Sequence, residues 1–296
     1  MLSFVSQRRH DVQLCLGHYR SAAAATDDAS TSEASIYPVL FRIGEFEITS
    51  FGVMLAVAAL VGLWLFRREL RRSGLPEAAL DAAIAGVIGG MVGAKLLWTF
   101  EHRGEESFVN LLLSRGGMSW FGGFAGGILA GLAVMQRKRL PKLAVLAAAT
   151  PALAIGHAIG RIGCFLVGDD YGRPTDLPWG VAFPQGLPPT VAPVHPTQLY
   201  EAVALVPLAW LLFRWRRQGR PDTFVLGAYL VLAGTIRFLI EFVRVNVRVL
   251  GIFTVAHLAS LMAVAVGVAF LISSRRRPNQ AGHRDRGSAG QESKSN

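Results

Sequence analysis

Long apolar stretches, most of them closed by an arginine cluster or a loop rich in turn residues, set the pattern of this chain. Candidate spans fall at about 49–66, 78–98, 121–135, 143–159, 199–213, 224–242 and 252–272. They approach the roughly 20 helical residues that a hydrocarbon core of about 30 Å requires. The pattern predicts an all-α polytopic membrane protein of about seven transmembrane helices. The third and fifth spans are short, which fits tilted neighbours, a thinned bilayer or partial burial in the bundle.

Basic residues collect in alternate connections. Arg67, Arg68, Arg71 and Arg72 follow the first span, and Arg137, Lys138, Arg139 and Lys142 follow the third. Arg214, Arg216, Arg217 and Arg220 follow the fifth, and Arg275, Arg276 and Arg277 the seventh. Short loops that carry Lys or Arg stay cytoplasmic, so the pattern predicts the N-terminus outside and the C-terminus inside. The remaining connections are poorer in basic residues. Two of them, 99–120 and 160–198, are long, and long loops in compact domains are usually functional or disordered. The second is proline-rich, and YGRPTDLPWGVAF (171–183) alternates as a short strand or hairpin does, predicting a small extracytoplasmic head.

Composition agrees with the membrane reading. Of 296 residues, 52% are hydrophobic and 17% charged, and the mean hydropathy is +0.39. The formal net charge of +10 reads as a topology signal and not as nucleic-acid binding, because the arginines lie between apolar runs and at the tail. Residues 1–36 are polar and without a signal-peptide core, and are expected to be a disordered tail or an over-called start. Residues 273–296 are expected to form a basic, disordered cytoplasmic tail. Cys15 and Cys164 cannot build a disulfide scaffold, and no zinc-type spacing is present.

With this topology, Lys95, His157, Arg161, His195, Glu201, Arg237 and Glu241 all fall in the outer leaflet. Ionisable groups within a span are costly, face the bundle interior, and mark pairs or substrate paths. Arg237 and Glu241 are spaced i,i+4 and share a helix face; the pair is either structural or part of a site. Gly156, Gly160 and Gly163 admit a close approach by a helix, a lipid glycerol or a phosphate. Gly86, Gly89, Gly90 and Gly93 read as plain helix packing. An arginine fork suits a phosphate, so Arg161 and Arg237 together suggest an anionic lipid headgroup. Asp169 and Asp170 either orient these arginines or are solvated turn residues. His195 is either a base near neutral pH or a residue capping the start of the fifth span, and Cys164 is read as packing.

In order along the chain stand YPVLFRIGEFEITSFG from residue 37, GGMSWFGG at 116–123, GRIGCFLVGDDYGRP from 160, HPTQLYE at 195–201 and RFLIEFVR at 237–244. Together they resemble the motifs of the prolipoprotein diacylglyceryl transferase family over residues 37–272, which would be the integral-membrane transferase domain. The resemblance implies a seven-helix inner-membrane bundle with an extracytoplasmic head and no cofactor. It also implies transfer of the diacylglyceryl group of phosphatidylglycerol to the lipobox cysteine of a prolipoprotein signal peptide, with release of glycerol phosphate. Arg161 and Arg237 would then hold the lipid phosphate and Glu241 would pair with Arg237. Gly172 matches a signature glycine, Asp169 stands for a glutamate, and His195, Gln198, Tyr200 and Glu201 match the HPTQLYE element. Catalysis would draw on Arg161, Arg237, Glu241, Asp169 and His195. Substrate binding would draw on both arginines with Gly160, Gly163, Gly172, Gln198, Tyr200 and Glu201. Phe51, Phe121 and Cys164 replace a tyrosine, a histidine and an asparagine, leaving His195 or an acid as base. A divergent phospholipid-binding relative without catalysis is the alternative. A transporter fits less well, because no internal repeat is evident and the polar groups avoid the midplane.

Overall fold

The computed structural model describes residues 39–43, 46–104, 106–114 and 117–275. The expected N-terminal tail, Cys15, Gly116, and Arg276 and Arg277 with the rest of the C-terminal tail lie outside the described residues. A hairpin of β1 (Val39–Ile43) and β2 (Phe46–Thr49) leads into α1 (Ser50–Arg72), where the Thr49 hydroxyl caps the helix by accepting from Gly52 N at 3.2 Å. Then come α2 (Ala79–Glu101), a short α3 (Phe108–Leu113), α4 (Trp120–Arg137) and α5 (Lys142–Val167). The head follows, built on an antiparallel pair, β3 (Val181–Phe183) and β4 (Thr190–Val194), as the alternation in that segment predicts. α6 (Thr197–Arg217), α7 (Asp222–Glu241), a hairpin of β5 (Arg248–Leu250) and β6 (Phe253–Thr254), and α8 (Val255–Arg275) complete the chain.

Five helices, α1, α2, α5, α7 and α8, are long and apolar enough to cross a membrane. The other two expected spans form as helices at the expected places. Their apolar signal is diluted by the glycines of α4 and by Gln198, Glu201 and the terminal arginines of α6. α8 runs to Arg275, so residues 273–275 are helix where a tail is expected. Large apolar side chains such as Leu60, Trp64, Ile88, Leu129, Val203, Trp210, Leu239 and Met262 point outward. An all-round apolar surface of this kind is stable against lipid tails and not against water.

Packing is dictated by small residues. α2 and α4 meet backbone to backbone: a Cβ on Gly89, Gly93, Gly122 or Gly126 would collide with the carbonyl or side chain of the facing helix. Gly227 of α7 and Gly267 of α8 do the same. This confirms helix packing for the α2 glycines, since without a hydrophobic drive between helices in lipid, close van der Waals approach supplies the attraction. α5 is the most buried of the five apolar helices, lying between α1 on one side and α6 and α7 on the other. Its alanines, Ala147, Ala154 and Ala158, pack against Leu205, Leu208 and Leu212 of α6.

One expectation is corrected here. The stretch from Gly160 is helix and not connection. GRIGCFLV forms the last turns of α5, and the chain leaves the helix only at Gly168, whose φ of 70° is the left-handed cap that favours glycine. Arg161 and Cys164 therefore sit on a rigid element and not on a loop. The outer connection runs from Gly168 to Pro196.

Candidate active site

Three helix ends meet beside the head: the C-terminal turns of α5, the first turns of α6 and the last turns of α7. Each contributes charge. Arg161 of α5 places Nε 2.9 Å from Glu201 Oε2 of α6 and Nη1 2.9 Å from Asp170 Oδ2 in the head. Asp170 Oδ1 lies 2.5 Å from Arg244 Nη2, and Arg244 Nε is 3.7 Å from Glu241 Oε2. Arg237 Nη2 reaches Glu241 Oε2 at 2.7 Å, while its Nη1 lies 4.0 Å from Glu201 Oε2. Three arginines and three carboxylates thus alternate in a closed ring, Arg161–Asp170–Arg244–Glu241–Arg237–Glu201. Its formal charge is zero while His157, whose Nε2 is 3.4 Å from Glu201 Oε1, stays neutral.

Burial makes this geometry matter. Glu201 and Glu241 are 1% and 2% exposed and Arg244 6%. Buried charges persist only when paired and hydrogen-bonded. Glu241 Oε1 accepts from Thr254 Oγ1 at 2.6 Å and from Asn246 Nδ2 at 2.7 Å, and the buried His257 Nδ1 stands 3.2 Å from the same threonine hydroxyl. The β5–β6 hairpin therefore holds Glu241 in position. Arg237 Nη1 and Arg244 Nη1 remain buried without a hydrogen-bond partner among the described residues. Two guanidinium nitrogens thus make no hydrogen bond inside a neutral ring, Arg237 Nη1 having only the 4.0 Å pair with Glu201. An incoming anion with several oxygens would satisfy both, and it would be selected by direction and not by net field.

The head completes the site. Gly172 N donates to His195 O at 2.9 Å and Arg173 N to Val243 O at 2.8 Å, so the signature loop is stitched to the start of α6 and to the end of α7. A Cβ on Gly172 would stand 2.6 Å from Val243 O and 2.9 Å from His195 Cβ; only glycine allows this approach. Gln198, fully buried, donates through Nε2 to the Asp169 carbonyl, and Thr197 Oγ1 donates to the Asp170 carbonyl at 2.8 Å. Burial pushes the Asp169 carboxyl above its ordinary range, and the neighbouring Asp170 charge adds to this. Burial acts on Asp170 in the same sense, but Arg244 and Arg161 outweigh it and hold that carboxyl below its ordinary range.

His195 stands at the mouth of α6. Trp179 Nε1 donates to the Tyr200 hydroxyl at 2.8 Å, which leaves the hydroxyl proton for His195 Nδ1 at 3.2 Å. These three side chains, with Leu177, Leu239 and Val243, line an apolar cavity of about 440 Å³ that runs along α7 next to the ring.

The expected residues divide accordingly. Arg161, Glu201, Arg237 and Glu241 converge, and His195, Tyr200, Gln198 and Gly172 surround them. Asp169 does not join the ion pairs; its neighbour Asp170 does. Gly163 is a packing glycine against Phe51 and Met54 of α1, whereas among the described residues nothing lies within 4 Å of a Cβ built on Gly160. Lys95 is outside the ring and donates to Ser114 at 2.7 and 2.8 Å. Phe121 is 52% exposed and stacks edge-on with Trp120 on the outer surface. Cys164 Sγ lies 3.9 Å from Arg161 Nη1. Arg244 and His157 were not selected as site residues from the sequence, though each left a signal: Arg244 closes the RFLIEFVR stretch that Arg237 opens, just past the end of α7, and His157 precedes Arg161 by four on α5.

A helical bundle with several membrane-length helices, carrying an arginine–carboxylate ring beside an apolar cavity at one end, is that of a polytopic membrane protein. The family model for prolipoprotein diacylglyceryl transferase matches residues 38–273. The chain belongs to that family. It is 35% identical over 257 residues to the phosphatidylglycerol–prolipoprotein diacylglyceryl transferase of Geobacter sulfurreducens, covering 81% of this chain and 97% of that one. It is 34% identical over 255 residues to the enzyme of the same name from Vibrio cholerae, covering 82% and 93%.

Proposed function

We propose that this protein transfers the diacylglyceryl group of phosphatidylglycerol to the lipobox cysteine thiol of prolipoprotein signal peptides, releasing glycerol phosphate. The observation that carries the reading is the ring: two buried guanidinium nitrogens without a hydrogen bond, on Arg237 and Arg244, suit a phosphate. In the reaction the thiol sulfur forms a bond to the glycerol carbon that bears the phosphate. The C–O bond breaks, its electron pair leaves with the phosphate, and the thiol proton passes to a base. Arg161, Arg237 and Arg244 stabilise the charge gathering on the departing phosphate, a preorganised role because their carboxylate partners fix them beforehand. Glu201, Glu241 and Asp170 position them.

His195 is the base in this reading, taking the proton at Nδ1 through the Tyr200 hydroxyl that already points there. Asp169, close to Cys164, supports the head loop and the polarity of the thiol's approach. Gln198 and Gly172 keep the loop closed, and Gly160 gives the lipid glycerol access to α5. The apolar cavity at Trp179 and Leu239 accommodates the apolar flank of the signal peptide. α4 and α6 cross the membrane with the five apolar helices, giving seven spans over residues 37–272 with the N-terminus outside, the C-terminus inside the bacterial cytoplasmic membrane, and the site on the extracytoplasmic side. The alternation of arginine-bearing helix ends supports this orientation. The test is an assay of the purified protein with phosphatidylglycerol and a lipobox-cysteine peptide. Glycerol phosphate release with the matching mass gain on the peptide is expected. Neither signal, beside an active relative, would leave the lipid-binding, non-catalytic reading in its place.

A further inference from the structure

Glu241 is gripped differently at its two oxygens. Oε1 takes two neutral donors, Thr254 Oγ1 at 2.6 Å and Asn246 Nδ2 at 2.7 Å. Oε2 faces two arginines, Arg237 Nη2 at 2.7 Å and Arg244 Nε at 3.7 Å. Glu241 is 2% exposed and Thr254 5%, so bulk water does not compete at the contact between them. The roll of this carboxylate decides which oxygen the arginines find, and with it where their remaining nitrogens point. The neutral side of the grip therefore shapes the charged side.

The Thr254 hydroxyl has one proton and more than one acceptor within reach. Thr254 closes β6 immediately before α8, and His257 is the third residue of that helix. The His257 N–H donates to Thr254 Oγ1 at 3.3 Å, and the Thr254 N–H donates to His257 Nδ1 at 3.2 Å. This reciprocal pair is a capping box, with a histidine where glutamate or glutamine ordinarily stands. The hydroxyl oxygen is held by the His257 N–H. The Nδ1 lone pair, 3.2 Å from that oxygen, is already filled by the Thr254 N–H. Glu241 Oε1 is left as the acceptor for the hydroxyl proton, and the imidazole carries its own proton on Nε2. That nitrogen is buried without a hydrogen-bond partner among the described residues. The rings of Phe238, Phe242 and Phe253 surround the imidazole at 5.0, 4.7 and 5.6 Å between centroids. They hold its plane, and with it the direction of Nδ1.

We propose that Thr254 and His257 are positioning residues for the arginines of the ring: the capping box of α8 aims the Thr254 hydroxyl at Glu241 Oε1, turns Oε2 to Arg237 and Arg244, and so sets the direction of the guanidinium nitrogens that meet the phosphate. This rests on the reading of the ring as the phosphate site of the transfer reaction. Neither residue brings charge to the phosphate. Their effect passes through Glu241, and a misplacement of about 1 Å in a group that stabilises a transition state costs on the order of 10²-fold in rate.

The test compares the wild type with Thr254→Val, Thr254→Ser, His257→Leu and His257→Gln in the transferase assay, with a melting curve for each in detergent. Valine keeps the shape of threonine and removes the hydroxyl; leucine fills the aromatic pocket and removes the acceptor. Serine keeps the hydroxyl, and glutamine is an ordinary partner in a capping box. Loss of one helix cap is a modest cost, so the bundle folds in all four. Below their melting temperatures, Thr254→Val and His257→Leu are expected to lower kcat about 10- to 100-fold with KM for the peptide little changed. Thr254→Ser and His257→Gln are expected to stay near wild type. A box that only stabilises α8 would lower the melting temperature and leave kcat of the folded protein unchanged; that result overturns the proposal, as does an equal loss of kcat in all four variants. Absence of turnover in the wild type would tell against the transfer reading and not against the positioning, which is then read from retention of phosphatidylglycerol in native mass spectrometry. Weaker retention in Thr254→Val and His257→Leu than in Thr254→Ser and His257→Gln upholds the positioning, and equal retention by all four overturns it.

Discussion

Arg161 of α5 and Glu201 of α6 meet at 2.9 Å, Nε to Oε2, in a place where Glu201 is almost wholly buried. The carboxylate also faces Arg237 and His157, so it is the point at which three helices are joined electrostatically. Removing one partner of a buried pair costs about 3–5 kcal/mol, because the remaining charge is left uncompensated. Glu201→Gln is therefore expected to lower the melting temperature in detergent markedly and to cut kcat/KM. Wild-type thermal stability in that variant would show that the ring does not hold the helices.

The adjacent aspartates titrate in opposite senses. Asp170 has a depressed carboxyl, so its contribution to stability is fully present above the ordinary aspartate range, about pH 3.9, and is lost as pH falls through its lower folded value. Asp169 has a raised carboxyl, so its charge costs stability once pH has risen through its folded value. Asp169→Asn is expected to raise the neutral-pH melting temperature by a few degrees, with the gain vanishing as pH falls through the ordinary aspartate range. Asp170→Asn is expected to lower it at neutral pH. Melting curves from pH 3 to 8 check both; the same sign for both variants would contradict this assignment.

Two glycines of the signature separate packing from function. A methyl on Gly172 meets Val243 O and the Thr197 and His195 side chains inside normal contact distance, and overpacking of this kind costs about 1–3 kcal/mol. A methyl on Gly160 meets nothing among the described residues, and an alanine in a helix is favoured over glycine by roughly 0.5–1 kcal/mol. Gly172→Ala should therefore destabilise the protein and reduce turnover together. Gly160→Ala should hold or raise the melting temperature while raising KM for phosphatidylglycerol, if the lipid glycerol lies against that glycine. An unchanged KM would remove Gly160 from the substrate surface.

Much of this was legible in the chain, and the gaps have physical reasons. Apolar length and the alternation of arginine clusters place every long helix, because both follow from one-dimensional patterns, but α1 and α5 run on to Arg72 and Val167, well past the expected ends at 66 and 159. Arg161, Arg237 and Glu241 are visible because charge inside an apolar run is costly. Arg244 is missed because it lies just beyond the apolar run, where an arginine reads as an ordinary flank; only the fold reveals that it is buried against Asp170 and Gly172 of the head and Glu241. Which of two adjacent aspartates reaches the arginines is likewise set by the loop after Gly168, where Gln198 and Thr197 fix the backbone carbonyls. Phe121 illustrates the reverse error: position in a motif suggests the site, but the side chain faces outward beside Trp120.

Arg237 supplies the sharpest test of how the ring works. Its Nη2 is committed to Glu241 at 2.7 Å, while Nη1 is buried, makes no hydrogen bond and has Glu201 only at 4.0 Å. A lysine keeps the positive charge for Glu241 but has a single ammonium head and no second nitrogen to offer to a phosphate. If the arginine acts only as a counter-ion, Arg237→Lys should retain most activity and Arg237→Ala should lose both stability and activity. If Nη1 meets the departing phosphate, Arg237→Lys should keep its melting temperature near wild type while kcat falls about 10²–10³-fold, as on loss of a preorganised donor to developing charge. Arg161→Ala and Arg237→Ala should both insert into the membrane normally and lose activity. The ring geometry favours the second outcome for lysine; near-wild-type kcat in Arg237→Lys would reduce this residue to a structural partner of Glu241.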